Sequence, residues 1–179
     1  MNRLFIALKL PDEIIDEIIS IRKAVNQDNI RSRWEPKEKL HLTLKFLGDV
    51  EESKTSLIID KVEAITKNIP KIQCEFDKFG FFLPRILWLS LKVNGDLFEV
   101  VKNIENEMNN LGFEKEKRSF KPHITLLRIK ETLTDGFISR FKNYELPQRI
   151  FYCSEISLVN SKLLPGGSVY NDIKIFKLT

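Results

Sequence analysis

Two histidines carry the chemistry that this sequence suggests. The chain contains no others, and each is followed two residues later by a threonine: His41 opens HLTLKFLG, and His123 opens HITLLR. The unperturbed pKa of histidine, about 6.5, makes both its neutral and its charged form available at neutral pH. One imidazole can therefore take a proton while the other gives one. Such a pair suits in-line displacement at phosphorus, where the attacking and leaving oxygens lie on opposite sides.

Hydroxyl and guanidinium groups near the histidines fit the same chemistry. Thr43 and Thr125 can donate hydrogen bonds to the non-bridging oxygens of a phosphate, where charge accumulates. Arg128 ends the second run, and a guanidinium binds phosphate through two parallel hydrogen bonds. Strict strand alternation, however, places Arg128 on the face of Ile124 rather than that of His123, so it reaches the site only if the strand bends. Otherwise it is a solvated arginine at a strand end.

Alternating apolar residues predict that each histidine lies in a half-buried β-strand. Residues i and i+2 of a strand share a face and lie about 6–7 Å apart. Each histidine therefore projects together with its threonine. The other face of the first strand is predicted to pack in the core; its residues are Leu40, Leu42, Leu44 and Phe46. Two histidines that merely pack within strands are the alternative, but packing alone gives no reason for the repeated threonine.

Basic residues are concentrated around both histidines. Residues 31–45 include five basic and two acidic residues, and residues 115–130 include six basic and one acidic residue. The whole chain has a net charge of only +4, so the remainder is net negative. Solvated surface lysines explain any single cluster. Two clusters, one at each histidine, favour an anionic ligand such as a phosphate or a nucleic acid.

Length and composition indicate a globular protein of one domain, residues 1–179, or of two small lobes that share a core. No apolar run approaches a membrane span, and no signal-peptide pattern is present. Cys74 and Cys153 stand outside any CxxC motif, so we expect free thiols and a cytoplasmic location. Two histidines and two scattered cysteines offer little for a zinc site. We therefore expect no cofactor, no metal and no association with membranes.

Periodicity predicts a chain that alternates between strands and helices. The predicted strands are Leu4–Leu10, the two histidine runs, Ile72–Phe79, Ile86–Val93, Ile150–Tyr152, Ile156–Asn160 and Val169–Phe176. The predicted helices start at Pro11, cover Ser53 to about Asn68, follow Asn94-Gly95-Asp96 as far as Gly112, and occupy Gly136–Asn143. A basic connection that contains Trp34 leads from the first helix to the first histidine run.

The order of these elements repeats. Phe5 and Trp88 stand almost equally far ahead of His41 and His123, and each interval holds a strand, a helix, a basic connection and a histidine strand. Two such units are expected to form the halves of a pseudo-symmetric α+β protein. The two histidine strands would then meet at a central cleft.

The two H-x-T-L runs resemble the paired motifs of the two-histidine phosphoesterase superfamily, and within it the RNA 2′,3′-cyclic phosphodiesterases, also called 2′-5′ RNA ligases. The resemblance covers nearly the whole chain. It includes Arg3-Leu4-Phe5-Ile6-Ala7, Trp34, HLTLKFLG, Phe79-Gly80 with Pro84 and Trp88, PHITLLR, and Ser161, Leu163, Gly167 and Tyr170. The paired motifs are specific, whereas the other residues agree mainly in order and spacing. Leu127 stands where relatives often have alanine.

This resemblance implies a bilobal α+β fold with two antiparallel sheets flanked by helices and a central cleft. It also implies metal-independent opening of a terminal 2′,3′-cyclic phosphate of RNA to a 2′-phosphate, and it leaves reversible 2′-5′ RNA ligation open. By resemblance, His41 is the proton donor to the leaving 3′ oxygen, and His123 is the proton acceptor that activates water. Thr43, Thr125 and Arg128 match the family's phosphate-contacting positions.

Two other functions are compatible with the sequence. The first is hydrolysis of a small cyclic phosphate, such as a cyclic nucleotide or an ADP-ribose derivative. The second is a non-catalytic RNA-binding module on the same fold. For the favoured function, the expected partner is RNA that ends in a 2′,3′-cyclic phosphate, bound by a monomer without an obligate protein partner.

Overall fold

The structure, a computed structural model, describes residues 1–26, 32–82, 85–129 and 134–179. The described strands are Asn2–Lys9 (β1), Ser32–Trp34 (β2), His41–Val50 (β3), Ile72–Phe82 (β4), Ile86–Val93 (β5), His123–Ile129 (β6), Ile150–Cys153 (β7), Glu155–Leu164 (β8) and Gly167–Lys177 (β9). The described α-helices are Asp12–Val25 (α1), Thr55–Thr66 (α2), Gly95–Asn110 (α3) and Asp135–Lys142 (α4). Arg31 and Lys130, at the ends of the two basic stretches, lie outside the described residues.

Eight strands form one curled antiparallel sheet in the order β7-β4-β5-β6-β3-β1-β8-β9, and β2 pairs with β6. The two central strands, β3 and β6, pair only through Leu42 and Ile124, whereas the pairings on either side of them are long. The sheet therefore consists of two four-stranded halves joined at one point. These halves are the two antiparallel sheets that were expected, and the α+β prediction is confirmed.

The two halves are built alike. In one half, β1 is followed by α1 and pairs with β3. In the other, β5 is followed by α3 and pairs with β6. Each histidine strand is thus the innermost strand of its half, which confirms the pseudo-two-fold arrangement predicted from the repeated order of elements.

Strand β1 shows how the sheet divides the protein into two sides. Leu4, Ile6 and Leu8 belong to the main hydrophobic core, to which all four α-helices contribute buried side chains. Phe5 and Ala7 alternate with them and belong to a smaller apolar cluster. Because successive side chains of a strand point to opposite faces, the helices cover one face of the sheet. A cleft lined by both histidines lies on the other face.

The helices appear where periodicity predicts them, with differences of a few residues at their ends. α1 buries the predicted stripe, which consists of Ile14, Ile18, Ile21 and Val25. Its first turn holds Asp12 and Glu13, whose carboxylates interact favourably with the helix N-terminus. Strand β2 was missed within the basic connection because a three-residue strand is too short for alternation to be recognised.

Three expectations about the chain as a whole can be compared with the structure. Cys74 and Cys153 are free, as predicted; both are buried and lie on the paired strands β4 and β7. In the part of the chain that the structure describes, no helix is long and apolar enough to cross a membrane. Nor do the described residues include a group of three or more His, Cys, Asp or Glu side chains that could hold a metal ion. Metal independence, cytoplasmic location and the monomeric state stay predictions.

Candidate active site

The two H-x-T runs meet at the centre of the sheet. β3 and β6 are antiparallel, and Leu42 pairs with Ile124. Continuing this register by one residue in each direction sets the histidine of each run opposite the threonine of the other. An approximate two-fold axis therefore passes between Leu42 and Ile124. Diagonal neighbours in such a pair have Cα atoms about 7–8 Å apart, which leaves room for a phosphate between the two imidazoles.

A small cleft of about 40 Å³ lies over this point. The residues that line it include all five that the sequence singled out, namely His41, Thr43, His123, Thr125 and Arg128. The remaining lining residues are Glu35, Lys39, Phe46 and Tyr170. The five predicted residues, which lie up to 87 positions apart in sequence, are thus brought into one site by the pairing of the two halves.

Both imidazole rings are held by the same backbone contact. His41 Nδ1 lies 2.7 Å from the carbonyl oxygen of Lys39, and His123 Nδ1 lies 2.7 Å from the carbonyl oxygen of Lys121. A carbonyl oxygen only accepts hydrogen bonds, so each Nδ1 carries a proton and donates it. Nε2 is therefore the atom that gains or loses a proton on each ring. In the neutral form of His41, Nε2 accepts a hydrogen bond from the Thr43 hydroxyl at 3.0 Å.

Two aromatic rings fix the plane of His41. Phe5 on β1 stacks on the imidazole, with a centroid distance of 5.0 Å and an interplanar angle of 28°. Tyr170 on β9 meets the imidazole edge-on at 5.6 Å. Burial and the nearby Glu35 carboxylate raise the pKa of Tyr170, so its hydroxyl stays a hydrogen-bond donor at neutral pH. Sequence left the role of Tyr170 ambiguous, whereas the structure places it in the wall of the cleft.

A different pair of rings holds His123. Phe82 meets the imidazole edge-on at 5.6 Å, and Trp88 lies at a centroid distance of 6.2 Å. Trp88 pairs with Gly80 across β4 and β5. A Cβ atom on Gly80 would lie 2.1 Å from Trp88 Cζ2. Glycine is thus required there for the indole to lie across β4 beside His123.

The electrostatic environment of His41 favours its neutral form in the unliganded protein. The pKa of His41 is lowered to about 4, chiefly by burial and to a smaller extent by the nearby His123, while the hydrogen bond to the Lys39 carbonyl oxygen and the Asp172 carboxylate act in the opposite direction. Asp172 itself is ionised. Burial alone would raise the pKa of Asp172, but hydrogen bonds from Lys9 and Ser157 and the charge of Lys9 together lower it.

A β-bulge turns Arg128 towards the cleft. Leu126 on β6 is an extra residue without a partner on β5, and such a residue shifts the alternation of side chains by one. The expectation from strict alternation was therefore wrong, and Arg128 lines the same cleft as His123. Arg128 Nε donates a hydrogen bond to Glu35 Oε1 at 2.8 Å, which holds the guanidinium at the rim with 58% of its side chain exposed.

The matching bulge on β3 turns Phe46 towards the cleft. Leu44 is the extra residue there, because Ile6 and Ala7 on β1 pair with Lys45 and Thr43. The prediction that Phe46 packs in the core was wrong: its side chain is 72% exposed and lines the cleft. The two-fold axis relates Phe46 to Arg128, so each run places one side chain at the rim, one of them aromatic and the other cationic.

Lys45, next to Phe46, is turned into the protein and is only 5% exposed. Its ammonium group donates to both carboxylate oxygens of Glu105 on α3 and to the carbonyl oxygen of Glu114, each at 2.9 Å. The Glu105 carboxylate also accepts a hydrogen bond from the backbone N–H of Glu116 at 3.1 Å. This network ties the first H-x-T strand to the segment that leads into the second.

Fewer basic residues line the cleft than the two basic stretches of the sequence suggested. Among the described basic residues of the two stretches, Lys39 and Arg128 line the cleft. Lys39 Nζ lies 5.3 Å from the centre of the Tyr170 ring. Lys45 is withdrawn into its buried ion pair, and Lys115 hydrogen-bonds to α3. Glu35, for which the sequence predicted no role, also lines the cleft, and its carboxylate pairs with Arg128.

Sequence comparison agrees with this geometry. The profile of the family described as LigT-like phosphoesterase matches the chain twice, over residues 8–88 and 89–170, and each match contains one H-x-T run. The RNA 2′,3′-cyclic phosphodiesterase of Methanocaldococcus jannaschii is 33% identical to this chain over 181 residues, which cover 96% of this chain and 98% of the relative.

Two solved structures have the same fold as this chain. The protein TT0787 of Thermus thermophilus has the same fold, with a TM-score of 0.83 at 22% identity, and the match covers 98% of this chain and 97% of that one. Escherichia coli LigT complexed with 3′-AMP has a TM-score of 0.81 at 27% identity over 99% of this chain and 98% of its own. The two profile matches together span most of the sequence and both halves of the site. The chain belongs to the LigT-like phosphoesterase family.

Proposed function

We propose that this protein hydrolyses the 2′,3′-cyclic phosphate at the end of an RNA and leaves a 2′-phosphate. The observation that carries this proposal is the two-fold pairing of the H-x-T runs, which brings both histidines of the chain to one cleft. Relatives named RNA 2′,3′-cyclic phosphodiesterase support the choice of substrate. When the 5′-hydroxyl of a second RNA replaces water, the same chemistry forms a 2′-5′ linkage.

One P–O bond forms and one breaks in this reaction, and each change is accompanied by a proton transfer to or from one of the two histidines. His123 Nε2 accepts a proton from water, whose oxygen then attacks phosphorus. The bond between phosphorus and the 3′ oxygen breaks on the opposite side, and His41 Nε2 donates its proton to that oxygen. The product carries its phosphate on the 2′ oxygen and a free 3′-hydroxyl. Exchange with solvent then returns both histidines to their starting states.

The neighbouring polar groups stabilise the charge that develops on the phosphate. The hydroxyls of Thr43 and Thr125 donate to the non-bridging oxygens from the two sides of the cleft. Arg128 adds a guanidinium, and the ion pair with Glu35 holds it in place before substrate arrives. Donors positioned in advance stabilise a transition state because they need no reorganisation during the reaction.

A general acid must be protonated when substrate is bound, yet His41 is neutral at pH 7 in the unliganded protein. The bound phosphate resolves this difficulty, because an anion beside Nε2 favours the charged imidazole. Asp172, whose carboxylate raises the pKa of His41, acts in the same direction. His41 is therefore proposed to take up its proton together with the substrate.

The test is incubation of the purified protein with an RNA oligonucleotide that ends in a 2′,3′-cyclic phosphate, in the presence of chelator. The expected product co-migrates with a 2′-phosphate standard and not with a 3′-phosphate standard. The protein with both His41→Ala and His123→Ala measures the background. Binding of RNA without turnover would contradict the proposal and favour an RNA-binding module. Turnover of a cyclic mononucleotide but not of RNA would contradict it in favour of a small-molecule phosphodiesterase.

A further inference from the structure

Three hydrogen bonds hold Glu35 at the edge of the histidine cleft. Its backbone N–H donates to the carbonyl oxygen of Leu126 on β6 at 2.8 Å, and its own carbonyl oxygen accepts from Arg22 Nη1 at 3.0 Å. Its carboxylate accepts from Arg128 Nε at 2.8 Å, and its side chain is only 12% exposed. A carboxylate is therefore fixed beside the place where the proposed reaction binds a phosphate.

A fixed carboxylate is an unusual component of a site for anions. Among the described residues that line the cleft, Glu35 is the one acidic residue, and Lys39 and Arg128 are the basic ones. Orienting the Arg128 guanidinium does not require a charge, because a neutral carbonyl oxygen also accepts a hydrogen bond from Nε. The negative charge of Glu35 instead offsets part of the attraction that the two basic residues exert on any anion in the cleft.

The proposed reaction changes the charge of the phosphate that this carboxylate faces. The cyclic substrate is a phosphodiester with one negative charge. Of the two protons of the attacking water, one goes to His123 and the other stays on the new phosphate oxygen. The resulting 2′-phosphomonoester loses that second proton with a pKa of about 6, so in neutral solution it carries a charge of about −1.5 to −2. Because Coulomb repulsion is proportional to charge, Glu35 opposes binding of the product more than binding of the substrate.

We infer that Glu35 is a specificity-determining residue, which distinguishes the singly charged cyclic phosphate from the doubly charged product. Arg128 keeps its two Nη groups for the phosphate in both cases, since Glu35 occupies Nε. The carboxylate then weakens binding of the product selectively and so limits product inhibition. This inference deepens the proposed function and rests on it.

Three variants separate the charge of Glu35 from its hydrogen bond. Glu35→Gln removes the charge and keeps an oxygen that accepts from Arg128 Nε, whereas Glu35→Ser removes both. Glu38→Gln is the matched control, because it makes the same change three residues further along, at an exposed side chain that does not line the cleft. The thermal melting of all three proteins checks that they fold.

The measurement is the Kd of two ligands, obtained by calorimetry at about pH 8, where the phosphomonoester is doubly charged. One ligand is 3′-deoxyadenosine 2′-phosphate, and the other is its methyl ester, which carries a single charge. Neither ligand can cyclise, because both lack the 3′-hydroxyl. The ratio of the two Kd values cancels the contribution of the nucleoside, and comparison between proteins cancels that of the methyl group.

A carboxylate roughly 8 Å from a phosphate, across one guanidinium, changes affinity on the order of fivefold per unit charge in about 0.1 M salt. Glu35→Gln and Glu35→Ser should therefore each strengthen binding of the phosphomonoester, relative to the methyl ester, by about fivefold. Glu38→Gln should leave the ratio at its wild-type value.

An unchanged ratio in the two Glu35 variants would overturn the inference and leave Glu35 with the orientation of Arg128 alone. An equal change in Glu38→Gln would overturn it too, because the effect would then belong to the general surface charge. Failure of the wild-type protein to bind either ligand would also contradict it. These results are distinct from failure of the proposed function, in which the wild-type protein opens no cyclic phosphate at all.

Discussion

Binding of a sulfate ion should move the titration of His41 from acid pH to near neutrality. In the unliganded protein, burial lowers the pKa of His41 to about 4. An anion that takes the place of the substrate phosphate would lie beside Nε2, because Nδ1 donates to the Lys39 carbonyl oxygen. One negative charge at about 4 Å stabilises the imidazolium by about 4 kcal/mol at an effective dielectric constant of about 20. That is about a thousandfold in the protonation equilibrium, enough for roughly half of the His41 rings to be charged at neutral pH.

NMR can measure this directly because the chain has only two histidines. The imidazole signals are followed across the acid and neutral pH range with and without sulfate, which has no ionisable proton in that range. The His123→Gln protein assigns the signals. If His41 titrates near its ordinary value in the free protein, the argument from burial is wrong. If sulfate leaves its titration unmoved, no anion binds beside Nε2 and the proposed protonation of the acid fails.

Metal ions, Arg128 and the buried Lys45 each give a further prediction. Exhaustive chelation should leave turnover unchanged, since the proposed proton donor, proton acceptor and phosphate-binding groups are side chains; a loss that Mg²⁺ or Zn²⁺ restores would refute this. Arg128→Lys should raise KM about tenfold, because an ammonium group cannot keep the fork geometry that contacts Glu35 and phosphate together; an unchanged KM would place Arg128 outside the substrate site. Glu105→Ala should lower the free energy of unfolding by about 3–5 kcal/mol in urea titrations, because it leaves the buried Lys45 unpaired. Lys45→Met should cost clearly less, and equal losses would contradict the argument.

The elements that carry the site were predictable because their patterns are local. Strict alternation identified β3 and β6, and the apolar stripe of α1 identified its buried face. The repeated order of strand, helix and histidine strand then required a two-fold arrangement, in which His41 and His123 share one cleft. The observed pairing of Leu42 with Ile124 is that arrangement.

The parts that could not be predicted depend on contacts between distant segments. A bulge arises where two paired strands differ in length along a curled sheet, and Leu44 and Leu126 look like any other apolar strand residues. Alternation alone therefore placed Phe46 and Arg128 on the wrong face. The sequence showed Lys45 only as one of the basic residues near His41, and its burial depends on Glu105, 60 residues away in sequence. In each case, the conformation depends on a paired strand or residue that is distant in sequence.

The division of labour between the two histidines is the central claim, and kinetics with two leaving groups test it most directly. On an RNA 2′,3′-cyclic phosphate, His41→Ala and His123→Ala should each cost on the order of 10²–10⁴ in rate. The combined change should cost much less than the product, because the two residues act as one unit. The comparison substrate is a 3′-deoxynucleoside 2′-(4-nitrophenyl phosphate), whose leaving group needs no proton.

On the 4-nitrophenyl substrate, His41→Ala should recover much of its activity, because no proton has to reach the leaving oxygen. His123→Ala should stay impaired, because water still needs a base. The opposite pattern would exchange the acid and base assigned to the two histidines. Full activity of either single variant on the RNA substrate would contradict two-histidine catalysis at this site.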